Sequence, residues 1–219
     1  MASEERKGRL IKSIFLLLLF LGLCVLLFYF AYNLRSKYNV WVAEFWTDNQ
    51  KNVVDFNDSE QIKVLSNQTE SKITIFSEST KKNDFIELNL TESAYLIGNN
   101  INKFSPSFLK VSKIVIEPQD NQKDNIWDIY LLFETPKIKN ISVKITLQKD
   151  NIETAQVYST DFAIANFSLN EIGIEFFTNK INQGLSDSLL LVNENSYSGR
   201  VYKNIELDNE GMVIKGILL

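Results

Sequence analysis

Between Ser13 and Tyr32 the chain runs for twenty residues without a formal charge (SIFLLLLFLGLCVLLFYFAY), the length an α-helix needs to cross the roughly 30 Å hydrocarbon core of a bilayer. Each central Leu, Ile, Phe or Val favours insertion by about 0.3–0.6 kcal/mol, so the run as a whole prefers lipid to water. No other segment of the 219 residues comes close. This divides the chain before any fold is considered. Residues 1–12 read as a cytoplasmic tail, 13–32 as a transmembrane helix, 33–60 as a juxtamembrane segment and linker, and 61–219 as an extracytoplasmic α+β domain.

Basic residues set the orientation. Arg6, Lys7, Arg9 and Lys12 precede the run and only Arg35 and Lys37 follow it, which keeps the tail in the cytoplasm and exports the large C-terminal part. A cleaved signal peptide has an apolar core of about 7–15 residues and a small-x-small cleavage site. Here the core is longer and no Ala-x-Ala follows, so the segment reads as an uncleaved, single-pass signal anchor in a cell membrane. Cys24, the only cysteine, follows Leu23 rather than the small residue a lipobox requires, and reads as a buried thiol. Gly22 stands alone in the span, so no Gly-xxx-Gly helix-pairing face exists. Beyond it Trp41, Phe45 and Trp46, with Tyr38, suit the membrane interface. They equally suit a helix end packed on the domain.

Removing the anchor and its flank leaves about 170 residues, enough for one domain with a single core. That part has no cysteine, so burial and sheet pairing must hold it together. The chain has no histidine, which removes the usual general base, the usual zinc ligand and every His-containing triad. Net charge is −4 with no basic cluster outside the tail, which excludes the electrostatic footprint of a nucleic-acid partner. No motif asks for a cofactor.

Within 61–219, Gln61–Leu65 and Lys72–Ser77 alternate apolar and polar residues about a polar Asn-Gln-Thr-Glu turn, the pattern of a half-buried hairpin. The polar stretch Asp48–Glu60 before them reads as a linker. Phe85–Leu88 reads as a strand, and Thr91 as the cap of a helix over Glu92 to Asn102. Leu109–Glu117, Ile126–Phe133, Ile141–Gln148 and Glu153–Ala165 form an antiparallel meander punctuated by Pro118, Pro136 and Asp150-Asn151. Ser168-Leu-Asn-Glu171 is a capping box opening a long helix over Leu169–Val192, and Arg200–Leu207 with Met212–Leu218 closes the chain as a hairpin. The expected fold is α+β: the N-terminal transmembrane helix, then a mainly antiparallel twisted sheet packed on one long and one shorter helix.

Two groups of residues invite a functional reading. Ile174, Phe177, Ile181, Leu185 and Leu189 recur at spacings of three and four along the long helix; they suit either a closed core or an apolar groove for an acyl chain, since ligand sites are concave and mostly apolar. Glu117, Asp120, Asp124 and Asp128 are close in sequence, as a calcium site requires, but the EF-hand positions counted from Asp120 hold Asn125 and Leu131 in place of Gly and an acid, so a solvated turn is the better reading. Nothing singles out a glycosidase-type carboxylate pair. No catalytic, cofactor-binding or metal-binding residue is nominated.

The order of parts resembles the YpmS-like family of Gram-positive membrane-anchored proteins, whose function is not established. The similarity covers the layout: the anchor, Leu90-Thr91-Glu92 opening a first helix, the run of strands, Phe162-Ala-Ile-Ala-Asn-Phe-Ser-Leu169 leading into the long helix, and Asn204-Ile-Glu-Leu207 to Gly216 closing. Where that family has Gly before the long helix and Pro at its start, this chain has Ala165, Asn166 and Asn170. The resemblance implies a sheet wrapped about a long helix and an envelope or lipid-related role, and transfers no catalytic residue. Together these features lead to a non-enzymatic binding or scaffold domain for a lipid, a cell-wall component or another envelope protein. A membrane-tethered hydrolase using carboxylates or Ser/Lys is the alternative.

Overall fold

The structure, a computed structural model, describes residues 29, 32–48, 52–105, 110–119, 125–134, 141–149, 153, 157–164, 167–168 and 200–218. The chain separates into two compact units, Met1–Phe45 and Trp46–Leu219. Helix α1 covers residues 32–48. Within the first unit one face of α1 is withdrawn from solvent: Val42 is buried, and Tyr38, Trp41 and Phe45, three and four positions apart, are half-buried. The Trp41 and Phe45 rings stack with centroids 5.4 Å apart. Among the described residues no helix is long and apolar enough to cross a membrane. Of Ser13–Tyr32, only Tyr29 and Tyr32 are described, both helical and exposed.

The second unit is α+β, with antiparallel pairing in every described strand contact. Its elements in chain order are β1 (Val54–Asp55), α2 (Ser59–Glu78), β2 (Asn83–Asn89), α3 (Leu90–Phe104), β3 (Lys110–Pro118), β4 (Ile126–Glu134), β5 (Ile141–Gln148), β6 (Tyr158–Ile164), β7 (Phe167–Ser168), β8 (Arg200–Leu207) and β9 (Gly211–Leu218). They form a larger sheet, ordered β1-β3-β4-β5-β6-β7, and a smaller one, ordered β2-β9-β8. The closing hairpin and the first three strands of the meander stand where the strand patterns put them to within a residue, whereas the fourth, expected over Glu153–Ala165, begins only at Tyr158, Glu153 being a bend.

The hairpin expected over Gln61–Leu65 and Lys72–Ser77 is instead a single helix, α2, and the polar stretch expected to be a linker already holds β1 and the start of that helix. Asp58 caps it, its carboxylate accepting from the amides of Glu60 (3.0 Å) and Gln61 (3.1 Å). A stripe of Ile62, Leu65, Thr69, Ile73 and Phe76 at three- and four-residue spacing turns inward. Val64 and Ile75, which made the alternation, are left exposed. No Gly in Asn67-Gln-Thr-Glu supplies the reversal a hairpin needs, and a twenty-residue stripe satisfies more burial than two short alternations.

Helix α3 is capped two residues earlier than expected, by Asn89 rather than Thr91. The Asn89 side chain accepts from the Glu92 amide (2.8 Å) and the Glu92 carboxylate accepts from the Asn89 amide (2.9 Å), a capping box. The same Glu92, almost wholly buried, receives the Lys72 ammonium of α2 at 2.6 Å. That ion pair therefore joins α2 to the start of α3. Further along α3, Gly98 leaves the notch that the Phe56 ring fills, where a Cβ would stand 2.6 Å from that ring.

One core lies between the two sheets and the helices. Register places Ile114, Leu131 and Val143 in one row and Ile116, Ile129, Ile145 and Phe162 in the next, all buried, against α3 and the inner residues Ile86, Leu88, Ile205, Leu207, Met212 and Ile214 of the smaller sheet. Trp127, 1% exposed, donates its indole N–H to the Asp208 carbonyl at 2.8 Å and so ties the larger sheet to the β8–β9 turn.

Candidate functional site

Because side chains alternate along a strand, the opposite face of the larger sheet carries its own rows. Register aligns Glu117, Asp128, Thr146 and Asp161 across β3, β4, β5 and β6, with Val115, Tyr130, Lys144 and Ala163 in the row beside them. Asp128, Thr146, Val115 and Ala163 are buried, so these polar groups are held away from water. Asp128 is at their centre: one carboxylate oxygen accepts from the Thr146 hydroxyl (2.6 Å), the other from the Gln119 amide (2.9 Å) and the Lys144 ammonium (2.9 Å). The Tyr130 hydroxyl donates to Glu117, and the Lys144 ammonium lies 5.9 Å from the Tyr130 ring centroid.

Burial raises the Glu117 carboxyl above its ordinary value and the neighbouring Asp128 charge adds to this, while Lys144 and the Tyr130 hydrogen bond oppose it. Burial also pushes the Tyr130 phenol up to about 12, helped by the Glu117 and Asp128 charges. The row thus holds one fully engaged carboxylate beside one that keeps its proton more readily. Glu117 and Asp128, near each other in sequence, do meet as direct cross-strand partners. Asp120 and Asp124 lie outside the described residues, and among those described no group of three or more metal-ligating side chains gathers. The sequence signal for this row was weak, because aligning Glu117 with Asp128, Thr146 and Asp161 requires the register of three connections.

Ile174, Phe177, Ile181, Leu185 and Leu189, with the whole segment Leu169–Val192, lie outside the described residues; Ser168, expected to cap that helix, ends β7. Trp41 and Phe45 are half-buried on α1. Trp46, 8% exposed, donates its indole N–H to the Ser142 hydroxyl of β5 at 3.4 Å.

The smaller sheet bears two clefts. One, of about 270 Å³, is lined by Lys72, Asn89, Asp208, Glu210, Gly211 and Met212 among others, with the Asp208 carboxylate already taken by the amides of Glu210 and Gly211. The other, of about 290 Å³, is lined by Asn83, Asp84, Phe85, Glu153, Lys203, Asn204, Lys215 and Gly216. No family model, curated protein or solved structure matches the chain.

Proposed function

We propose that this is a single-pass membrane protein whose extracytoplasmic α+β domain acts by binding a lipid, a cell-wall component or another envelope protein, and not by catalysis. The observation that carries the reading is the uncharged run Ser13–Tyr32, whose last residue is the first of α1; Trp46, near the end of α1 and in the second unit, bonds Ser142. A segment that prefers lipid is thereby followed, without a long free linker, by a residue built into the domain. The state of Asp128 supports the non-enzymatic part. Both its oxygens are occupied by protein donors, as befits a buried carboxylate that aligns strands.

A carboxylate hydrolase is the second reading, and the raised Glu117 beside Asp128 is what favours it, since pairs of carboxyl groups with divergent pKa values are how such enzymes divide acid and base roles. Against it, the two acids sit side by side on one sheet face instead of across a cleft. Protease added to wall-stripped bacterial cells expressing the full chain tests the topology. Digestion of the domain with retention of a membrane-bound N-terminal fragment is expected; an intact domain overturns the reading.

A further inference from the structure

We propose that the 290 Å³ cleft on the outward face of the smaller sheet binds carbohydrate; this names a ligand class for the binding reading above and rests on it. The site is a row. Phe85, Lys215 and Asn204 are cross-strand neighbours on β2, β9 and β8, so with strands about 4.7–4.9 Å apart the ring and the amide stand roughly 10 Å from one another, a span suited to a short oligosaccharide. Phe85 is 55% exposed in an otherwise polar lining. A flat ring among polar groups offers a platform for the C–H face of a pyranose, whose hydroxyls then meet the surrounding donors and acceptors.

Asn204 supplies the second observation. The residue is 8% exposed and its amide N–H₂ donates to Glu206 at 3.0 Å, but among the described residues its carbonyl oxygen Oδ1 finds no donor. Leaving such an acceptor unmet costs about 1–3 kcal/mol; the atom is closed to solvent as it stands, and a turn of the Asn204 side chain toward the cleft would let a sugar hydroxyl or acetamido N–H relieve it. Charge argues for a neutral ligand: Lys203 pairs with Glu153 at 2.7 Å and Lys215 with Glu206 at 2.6 Å, so positive and negative groups balance. Size argues the same way, for the cleft lies at the lower limit of the roughly 300–1,000 Å³ typical of ligand pockets and its lining offers no apolar channel for an acyl chain. An extended peptide adding to β2 is disfavoured, because the Phe85 amide is held by the Asp84 carboxylate (3.0 Å) and the Glu87 carbonyl by Lys72 (3.1 Å).

The test uses the full chain in a detergent without a sugar headgroup, titrated with the β-1,4-linked tetramer of N-acetylglucosamine and with cellotetraose, and read by saturation-transfer NMR. Transfer to the ring protons of at least one sugar is expected. Phe85→Ala should weaken binding about tenfold while Phe85→Trp retains it; Asn204→Ala should weaken it too, and Glu210→Ala, in the other cleft, should not. Because Phe85 is exposed, its variants keep the fold, which circular dichroism verifies. Absence of transfer from both sugars, or a Phe85→Ala affinity within about twofold of the parent, overturns the proposal. Neither result bears on which side of the membrane the domain occupies, which the protease experiment reads separately.

Discussion

Gly211 opens β9 against the end of β2, and a Cβ there would lie 1.9 Å from the Leu88 carbonyl oxygen and 2.8 Å from the Asn89 Cα. The obstruction is β2 backbone, which cannot yield, unlike that at Gly98, which is a side-chain ring. Gly211→Ala is therefore expected to destabilise the protein by about 3 kcal/mol or more, seen as a large drop in the melting temperature of the full chain in detergent. At Glu117 the prediction concerns pH. Its raised value means the native state holds this proton more tightly than the unfolded chain, so the contribution is fully present below about 4.5 and is lost as pH rises through the native value. Glu117→Gln should flatten that part of the stability profile and gain stability at neutral pH. For Tyr130 the same sign applies in the alkaline window: stability held below pH 10 is lost as pH approaches about 12. A phenolate absorbance titration should show a late-titrating tyrosine that is absent in Tyr130→Phe.

Among the elements, the α2–α3 junction makes the most specific demand. Lys72→Met would strand the buried Glu92 carboxylate without its cation, whereas Glu92→Gln releases a half-exposed lysine to water and retains an acceptor for the Asn89 amide. The lysine change is expected to cost about 1–3 kcal/mol, the glutamate change less, and the double variant less than their sum, which a double-mutant cycle on thermal melts would reveal. These elements also show what a sequence can and cannot display. Ile141–Gln148 and Arg200–Leu207 were legible residue for residue because runs of β-branched residues bounded by turn formers admit few other readings. Helix α2 was not, since Ile62, Val64, Ile73 and Ile75 also match a period of two, and only the stripe through Leu65, Thr69 and Phe76 with the Asp58 cap decides for the helix. The α3 cap was displaced by two residues because Asn89 and Thr91 are both competent caps and the choice falls to whichever finds a glutamate three positions on.

At the scale of the molecule, the candidate sites depend on pairings between distant strands, and so were hidden. Phe85 and Asn204 come together only because β9 enters between β2 and β8, and no local pattern announces that. Trp127 is the corresponding tie between the sheets: Trp127→Phe keeps most of the buried ring but orphans the Asp208 carbonyl, and should cost about 1–3 kcal/mol, measured as a shift in denaturation midpoint with unchanged slope.

The placement of β9 also bears on synthesis. Ile86 and Ile214 are cross-strand neighbours, yet the ribosome makes the whole meander between producing one and the other. The early strand must wait, greasy side uncovered, for a mate that arrives late, so closure of this sheet is a slow, long-range event. A chain caught before its last strand emerges would be a natural client for a holding chaperone.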